Sequence, residues 1–294
     1  MQKKFGRKKN GIIRQNVFFD GFLSNLYFNR GEFAYFDIYI LKREGARDDY
    51  DAATLERADK LRETMTPEGE QRLVENIIVK TQGFVGGNIS EDDDSPVQKF
   101  RDLLALYKGV DEATLRENMR YFLSAIMDVC DEYDINMCVH PDDPPFPVLG
   151  LPRIITCADD VEWLYKAVDN KHNGLTFCAG SLSAGAHNDV PEMARRFAHR
   201  TWFVHLRSCE VLPNGDFKEA PHLGGRADII SLIRTFERIN PGLPMRVDHA
   251  PLMLGDEKMG YNAGYSFHGR MLALGQVGGV MATVERELQE EKQK

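Results

Sequence analysis

From Ile135 onward the chain repeats one pattern, a short apolar run followed by a segment of helix length. The runs are INMCVH (135–140), GLTFC (174–178), TWFVHL (201–206) and PMRVDH (244–249). Between them, amphipathic stretches near Ala158 to Val168, Pro191 to Arg200 and Asp228 to Arg238 read as helices. Strands separated by helices cannot close as hairpins; they cross over and pair in parallel, as βαβ units. This half of the chain therefore predicts an α/β fold. A length of 294 residues fits one domain, since barrels of ~250 residues form single domains.

The part before Ile135 reads as mainly helical. Helix-forming residues dominate from Asp51 to Met65, and Thr66-Pro67-Glu68 predicts an N-cap with a first-turn proline, opening a helix through Lys80. Residues 81–96, TQGFVGGNISEDDDSP, predict a loop. Its Asp92, Asp93 and Asp94 lack the spaced oxygen ligands of a calcium loop and read as a solvated turn. Helical pattern returns over 97–108 and 112–133, while EFAYFDIYILK (32–42) fits a strand or a buried helix equally.

A net charge of −8 repels phosphate backbones, so neither a nucleic acid nor an anionic membrane is expected as a partner. Lys3, Lys4, Arg7, Lys8 and Lys9 at the start read as a solvated end. No window approaches ~18 consecutive apolar residues, so no membrane span is predicted. Five cysteines, an odd number without a C-x-x-C pair, and no secretory signal point to a reduced, cytoplasmic protein. Most of them should be buried apolar residues.

Each apolar run carries a metal-ligand type near its end: His140, Cys178, His205 and Asp248. Their intervals of 38, 27 and 43 residues compare with ~31 residues per βα unit of a barrel. Active sites of parallel α/β folds gather at the carboxyl ends of strands, so these four can converge on one divalent ion. A cysteine or histidine at one strand end is as a rule ordinary core; four strands repeating the feature strengthen the metal reading, and core packing of Cys178 stays open because Cys130, Cys138, Cys157 and Cys209 lie outside the pattern. His172, His187 and His199 lie beside polar residues and read as surface, and His268 lies in a helical stretch. Arg207, Arg153 and Arg246 near the same rim suit an anionic substrate. The loop HPDDPP is stiffened by prolines and would hold Asp142 and Asp143 beside the metal. Tyr265 follows a glycine after the fourth run, as a packing residue or an acid/base group.

The stretches MCVHPDDPPFPVLGLPRI, GLTFCAGS, FVHLRS, FKEAPHLGG, PMRVDHAPLM and NAGYSFHGR resemble the mannonate dehydratase family, in family order and spacing over about residues 28 to 285. The resemblance implies a TIM (β/α)8 barrel of the xylose-isomerase-like kind, with manganese as the usual metal and iron also associated. Its ligands fall on His140, Cys178, His205 and Asp248 and its acid/base pair on His249 and Tyr265; Arg207, Asp142, His222 and Arg246 are the expected substrate contacts, with a structural role open for at least one of the arginines. The reaction implied is dehydration of D-mannonate to 2-keto-3-deoxy-D-gluconate in hexuronate catabolism. Ligand softness alone would favour zinc or iron at a site holding a thiolate.

Residues 135–294 have room for about five βα units, so the barrel is expected to be incomplete at its N-terminus. Residues 1–27 form an unmatched basic segment, and 28–294 a single partial barrel domain. Exposed edges of such a sheet favour association into a homo-oligomer. Two other readings remain at this point: an inactive, metal-binding fragment of the family, and a metal-dependent sugar isomerase on the same barrel.

Overall fold

The computed structural model describes residues 18–20, 23–80, 89, 95–261 and 263–293. The basic run at residues 3–9 and the acidic triplet at 92–94 lie outside the described residues. Contacts divide the chain into two units, Met1–Phe19 with Leu26–Lys108 and Asp20–Asn25 with Gly109–Lys294. Three short strands open the described chain: β1 (Phe18–Asp20), β2 (Leu23–Asn25) and β3 (Tyr27–Phe28).

The first unit is helical. Helix α1 (Arg30–Tyr35) starts beneath Asn29, whose side chain accepts from the Glu32 amide, and runs on as a wider π-type turn over Phe36–Leu41. The aromatic run left open by periodicity is therefore helix. Helix α2 (Ala52–Thr64) is capped by Asp51, and α3 (Pro67–Val74) by Thr66 with Pro67 in its first turn, as expected; α4 (Pro96–Ala105) follows. Phe33, Phe36, Leu41, Leu73, Ile78 and Phe100 are buried. Asp37, also buried, is satisfied by Arg43 and Tyr50.

The second unit holds the βαβ units. In order it contains α5 (Glu112–Tyr133), β4 (Met137–Val139), α6 (Ala158–Ala167), β5 (Asn173–Cys178) and α7 (Ala179–Ser183). Next come α8 (Val190–Phe197), β6 (Thr201–His205) and an antiparallel hairpin of β7 (Ser208–Val211) and β8 (Phe217–Ala220). Then follow α9 (Ile229–Ile239), β9 (Met245–Arg246), β10 (Leu252–Met253), which pairs antiparallel with β2, and α10 (Phe267–Glu291). Strands β4, β5, β6 and β9 lie side by side in parallel, in chain order. Among the described residues they form an open four-stranded sheet, not a closed eight-stranded ring.

Every residue of β5 is buried, as in a parallel strand covered on both faces. Ile229, Leu232, Ile233 and Phe236 of α9 are buried at helical spacing. They join Leu175, Phe177 and Val204 of the sheet, Leu123 and Met127 of α5, and Val277 of α10 in one apolar cluster. His187 and His199 are exposed as expected, but His172 is not. It is 2 % exposed, with Nδ1 2.8 Å from Asn136 Oδ1; polar neighbours in sequence did not make it a surface residue because Asn136 reaches it from just ahead of β4.

The rings of Phe177 and Phe236 meet edge to face at 5.2 Å between centroids, both fully buried. Phe236→Ala should lower unfolding free energy by about 3–5 kcal/mol, measured as a shifted urea midpoint at unchanged m-value.

Candidate functional site

Sheet register sets the site. Cys178 and His205 are partners at the carboxyl ends of β5 and β6, so their side chains leave the sheet together, and His140 is the first residue beyond β4. The ligand atoms of His140, Cys178 and His205 all lie within 4.8 Å of one another. His140 Nε2 is 3.3 Å from His205 Nδ1. Asp248, two residues past β9, brings its Oδ2 to 3.4 Å from the same His205 nitrogen.

The electrostatics favour the charged forms that a cation needs. Burial pushes the Cys178 thiol up, but the Arg207 guanidinium and hydrogen bonds from His140 and His205 outweigh it, leaving the thiol well below its ordinary value. The Ser181 hydroxyl donates to its sulfur at 3.2 Å. Burial likewise opposes ionisation of Asp248, yet His249, Arg207 and His205 hold its carboxyl at about 2. Two imidazoles and a thiolate meeting at strand ends fit a divalent cation, while the Asp248 carboxylate stands beside His205, outside that three-residue group.

Arg207 lies beneath this cluster and is 4 % exposed. Its Nε donates to Asp248 at 2.8 Å, and its terminal nitrogens donate to Glu219 at 3.3 Å, Asp143 at 2.7 Å and the Ser181 hydroxyl at 3.1 Å. The guanidinium expected to receive a substrate carboxylate is thus engaged by carboxylates of the chain itself. Gly180 makes room for it, because a Cβ there would sit 2.4 Å from Arg207 Cγ. Arg246, by contrast, is 48 % exposed in its side chain while pairing with Asp248 Oδ1 at 3.0 Å.

Asp142 points into its own loop. It accepts from the amides of Ile154 and Ile155 at 2.8 and 2.9 Å and from Arg153 at 3.3 Å, which closes the proline-rich segment on itself. His222 is buried, with Nε2 2.8 Å from the Val247 carbonyl, so it braces the backbone just ahead of Asp248. Of the expected substrate set, Arg246 alone combines an exposed guanidinium with a contact to the ligand cluster.

His249 and Tyr265 are brought together by backbone. The Ala250 amide donates to the Gly264 carbonyl at 2.9 Å, and Ala250 and Tyr265 form a parallel bridge. The Tyr265 hydroxyl then lies 2.9 Å from His249 Nε2. The other ring nitrogen, Nδ1, is hydrogen bonded to Glu219 Oε1 on β8. Sequence reasoning passed over Glu219 and over Ser181, which sit inside the quoted stretches FKEAPHLGG and GLTFCAGS without a ligand spacing to mark them. All five cysteines are free, with Cys130, Cys178 and Cys209 buried and Cys138 exposed. No helix among the described residues is long and apolar enough to cross a membrane.

Comparison with known proteins identifies the family. The family described as D-mannonate dehydratase (UxuA) matches residues 27–291. Mannonate dehydratase 2 of Agrobacterium fabrum is 37% identical over 276 residues, covering 91% of this chain and 68% of that protein. Mannonate dehydratase of Marinomonas sp. is 38% identical over 267 residues, covering 87% of this chain and 66% of its own length. The crystal structure of mannonate dehydratase from Streptococcus suis serotype2 superposes with a TM-score of 0.61 at 29% identity, over 67% of this chain and 57% of that one. The chain thus spans about two thirds of the length of the curated relatives it matches.

The depressed carboxyl of Asp248 makes stability depend on pH. With a folded pKa of about 2 against an ordinary 3.8, its contribution is complete above about pH 4 and is lost as pH falls through about 2. In chelator-treated protein, Asp248→Asn should lower unfolding free energy at pH 7 by on the order of 2 kcal/mol. Urea titrations of both proteins should converge as the pH is taken below 4.

Proposed function

The chain belongs to the D-mannonate dehydratase family, and from that membership we propose that it eliminates water from D-mannonate to give 2-keto-3-deoxy-D-gluconate, a hydro-lyase step of hexuronate (glucuronate) catabolism. The observation that carries the reading is the meeting of two groups of residues at Asp248. Its Oδ2 is 3.4 Å from His205 of the His140–Cys178–His205 cluster and 3.9 Å from His249 Nε2 of the His249–Tyr265 pair.

His140, Cys178, His205 and Asp248 would hold the metal, manganese by family with iron as the alternative. Bound there, a divalent cation supplies positive charge to substrate oxygens as C2 loses its proton beside the carboxylate. The remaining work falls to the chain. A base must remove the C2 proton and an acid must protonate the C3 hydroxyl as it leaves, each typically worth ~10²- to 10⁴-fold in rate. His249 and Tyr265, hydrogen bonded to one another, are the pair that does both. Arg246, exposed at the rim, would take the substrate carboxylate. Arg207 serves underneath by holding Asp143, Glu219 and Asp248 in position.

In the same reading the four parallel strands are consecutive strands of a (β/α)8 barrel, and residues 28–294 are its catalytic region. A reducing cytoplasm suits five free thiols. Association into a homo-oligomer would cover apolar side chains such as Phe267, Met271 and Leu274 of α10, which are 58, 54 and 52 % exposed.

Purified protein with manganese should form the 2-keto acid from D-mannonate and lose that activity when the metal is chelated. No product from folded, metal-loaded protein would leave only the metal-binding reading, and ketose formation from an aldose would favour an isomerase. His249→Gln and Tyr265→Phe should each lower kcat by about 10²- to 10⁴-fold while metal content, measured by elemental analysis, stays at the wild-type level. Full turnover in both variants would remove the pair from the mechanism.

A further inference from the structure

We propose that Glu219 is the positioning residue of the acid–base pair: it fixes the His249 tautomer so that a bare Nε2 faces the Tyr265 hydroxyl. The inference rests on the dehydratase reading of the site. The two nitrogens of a neutral imidazole cannot both carry a proton, and which one does is set by the partner of the other. Glu219 Oε1 faces His249 Nδ1, and a carboxylate can only accept. The proton therefore sits on Nδ1. Nε2 is left with its lone pair, which accepts the Tyr265 O–H across 2.9 Å.

Glu219 is itself held. It is 8 % exposed, stands on β8, and takes a hydrogen bond from Arg207 at 3.3 Å on the same oxygen that faces His249. Arg207 also grips Asp248, so the residue beside His249 in sequence and the residue that orients it share one anchor. A carboxylate so fixed holds the imidazole in one ring orientation as well as one tautomer.

The arrangement closes a balanced proton circuit. His249 Nε2 takes the proton from C2, and the C2–H electron pair forms the C2–C3 double bond as the C3–O bond breaks. The departing oxygen takes the Tyr265 proton and leaves as water. The imidazolium, its Nδ1–H still on Glu219, returns the Nε2 proton to the phenolate, and both residues regain their starting states. With the opposite tautomer, Nε2 would present a proton to Tyr265 and could not accept from C2.

The test combines a nitrogen spectrum with kinetics. In protein carrying 15N-histidine and loaded with diamagnetic zinc, the His249 signals, identified by their loss in His249→Gln, should show a protonated Nδ1 and a bare Nε2. Glu219→Met, which removes the acceptor, should move these signals towards the other tautomer. In manganese-loaded protein it should lower kcat by about 10²- to 10⁴-fold with KM changed less than about threefold. Glu219→Gln keeps an acceptor oxygen and should recover at least about tenfold of that loss. A wild-type spectrum with the proton on Nε2, or Glu219→Met turning over within about threefold of wild type, overturns the inference. Should Glu219→Met fail to fold, the wild-type spectrum and Glu219→Gln decide it. Absence of product from the wild type itself would overturn the dehydratase reading instead, while the spectrum still decides the tautomer.

Discussion

A guanidinium taken out of water must find acceptors for its donors, or the chain does not fold around it. Arg207 finds carboxylates on three separate segments, Asp143 after β4, Glu219 on β8 and Asp248 after β9, together with the Ser181 hydroxyl of α7. Those segments are the ones that carry or adjoin the candidate ligands. The charge balance around it has a chemical consequence. Two guanidiniums, Arg207 and Arg246, face three carboxylates and a thiol driven towards its anion. An excess of negative charge in a partly buried site is costly on its own and is relieved by a divalent cation, so the structural arginine and the metal reading explain each other.

The fold was legible where a local rule governs it. Apolar runs separated by helix-length segments gave parallel strands, and Thr66-Pro67 gave a capped helix, because periodicity and caps act over a few neighbouring residues. Convergence of His140, Cys178 and His205 was legible for a related reason: parallel strands in register deliver their ends to one rim. Closure of the sheet was not, since strand spacing describes each unit and not the number that pair.

What escaped the sequence is where long polar side chains turn. Arg207 lies two residues beyond β6 and Arg246 ends β9 in register with His205, yet one is buried among carboxylates and the other half in solvent. Asp142 and Asp143 are adjacent in one rigid loop, and they part company, Asp142 to the amides of Ile154 and Ile155 and Asp143 to Arg207. His172 is buried by a partner 36 residues away. Each outcome depends on which distant acceptor comes within ~3 Å, a three-dimensional fact that composition and spacing do not encode.

The pairing of Asp248 with His249 shows how one backbone angle serves the chemistry. Along a strand, successive side chains point to opposite faces, so two neighbours cannot both serve one site while the chain stays extended. Asp248 instead adopts a left-handed conformation, φ 59°. Aspartate tolerates that region better than most residues, and strain of this kind gathers at functional positions. The turn lets Asp248 Oδ2 approach His205 while His249 spans Glu219 and Tyr265. It also leads straight into the Ala250 bridge that carries Tyr265 into place. The candidate metal ligand and the candidate proton-transfer group are thereby coupled through consecutive residues of one bend, and a residue there that resisted positive φ would separate the two halves of the candidate site.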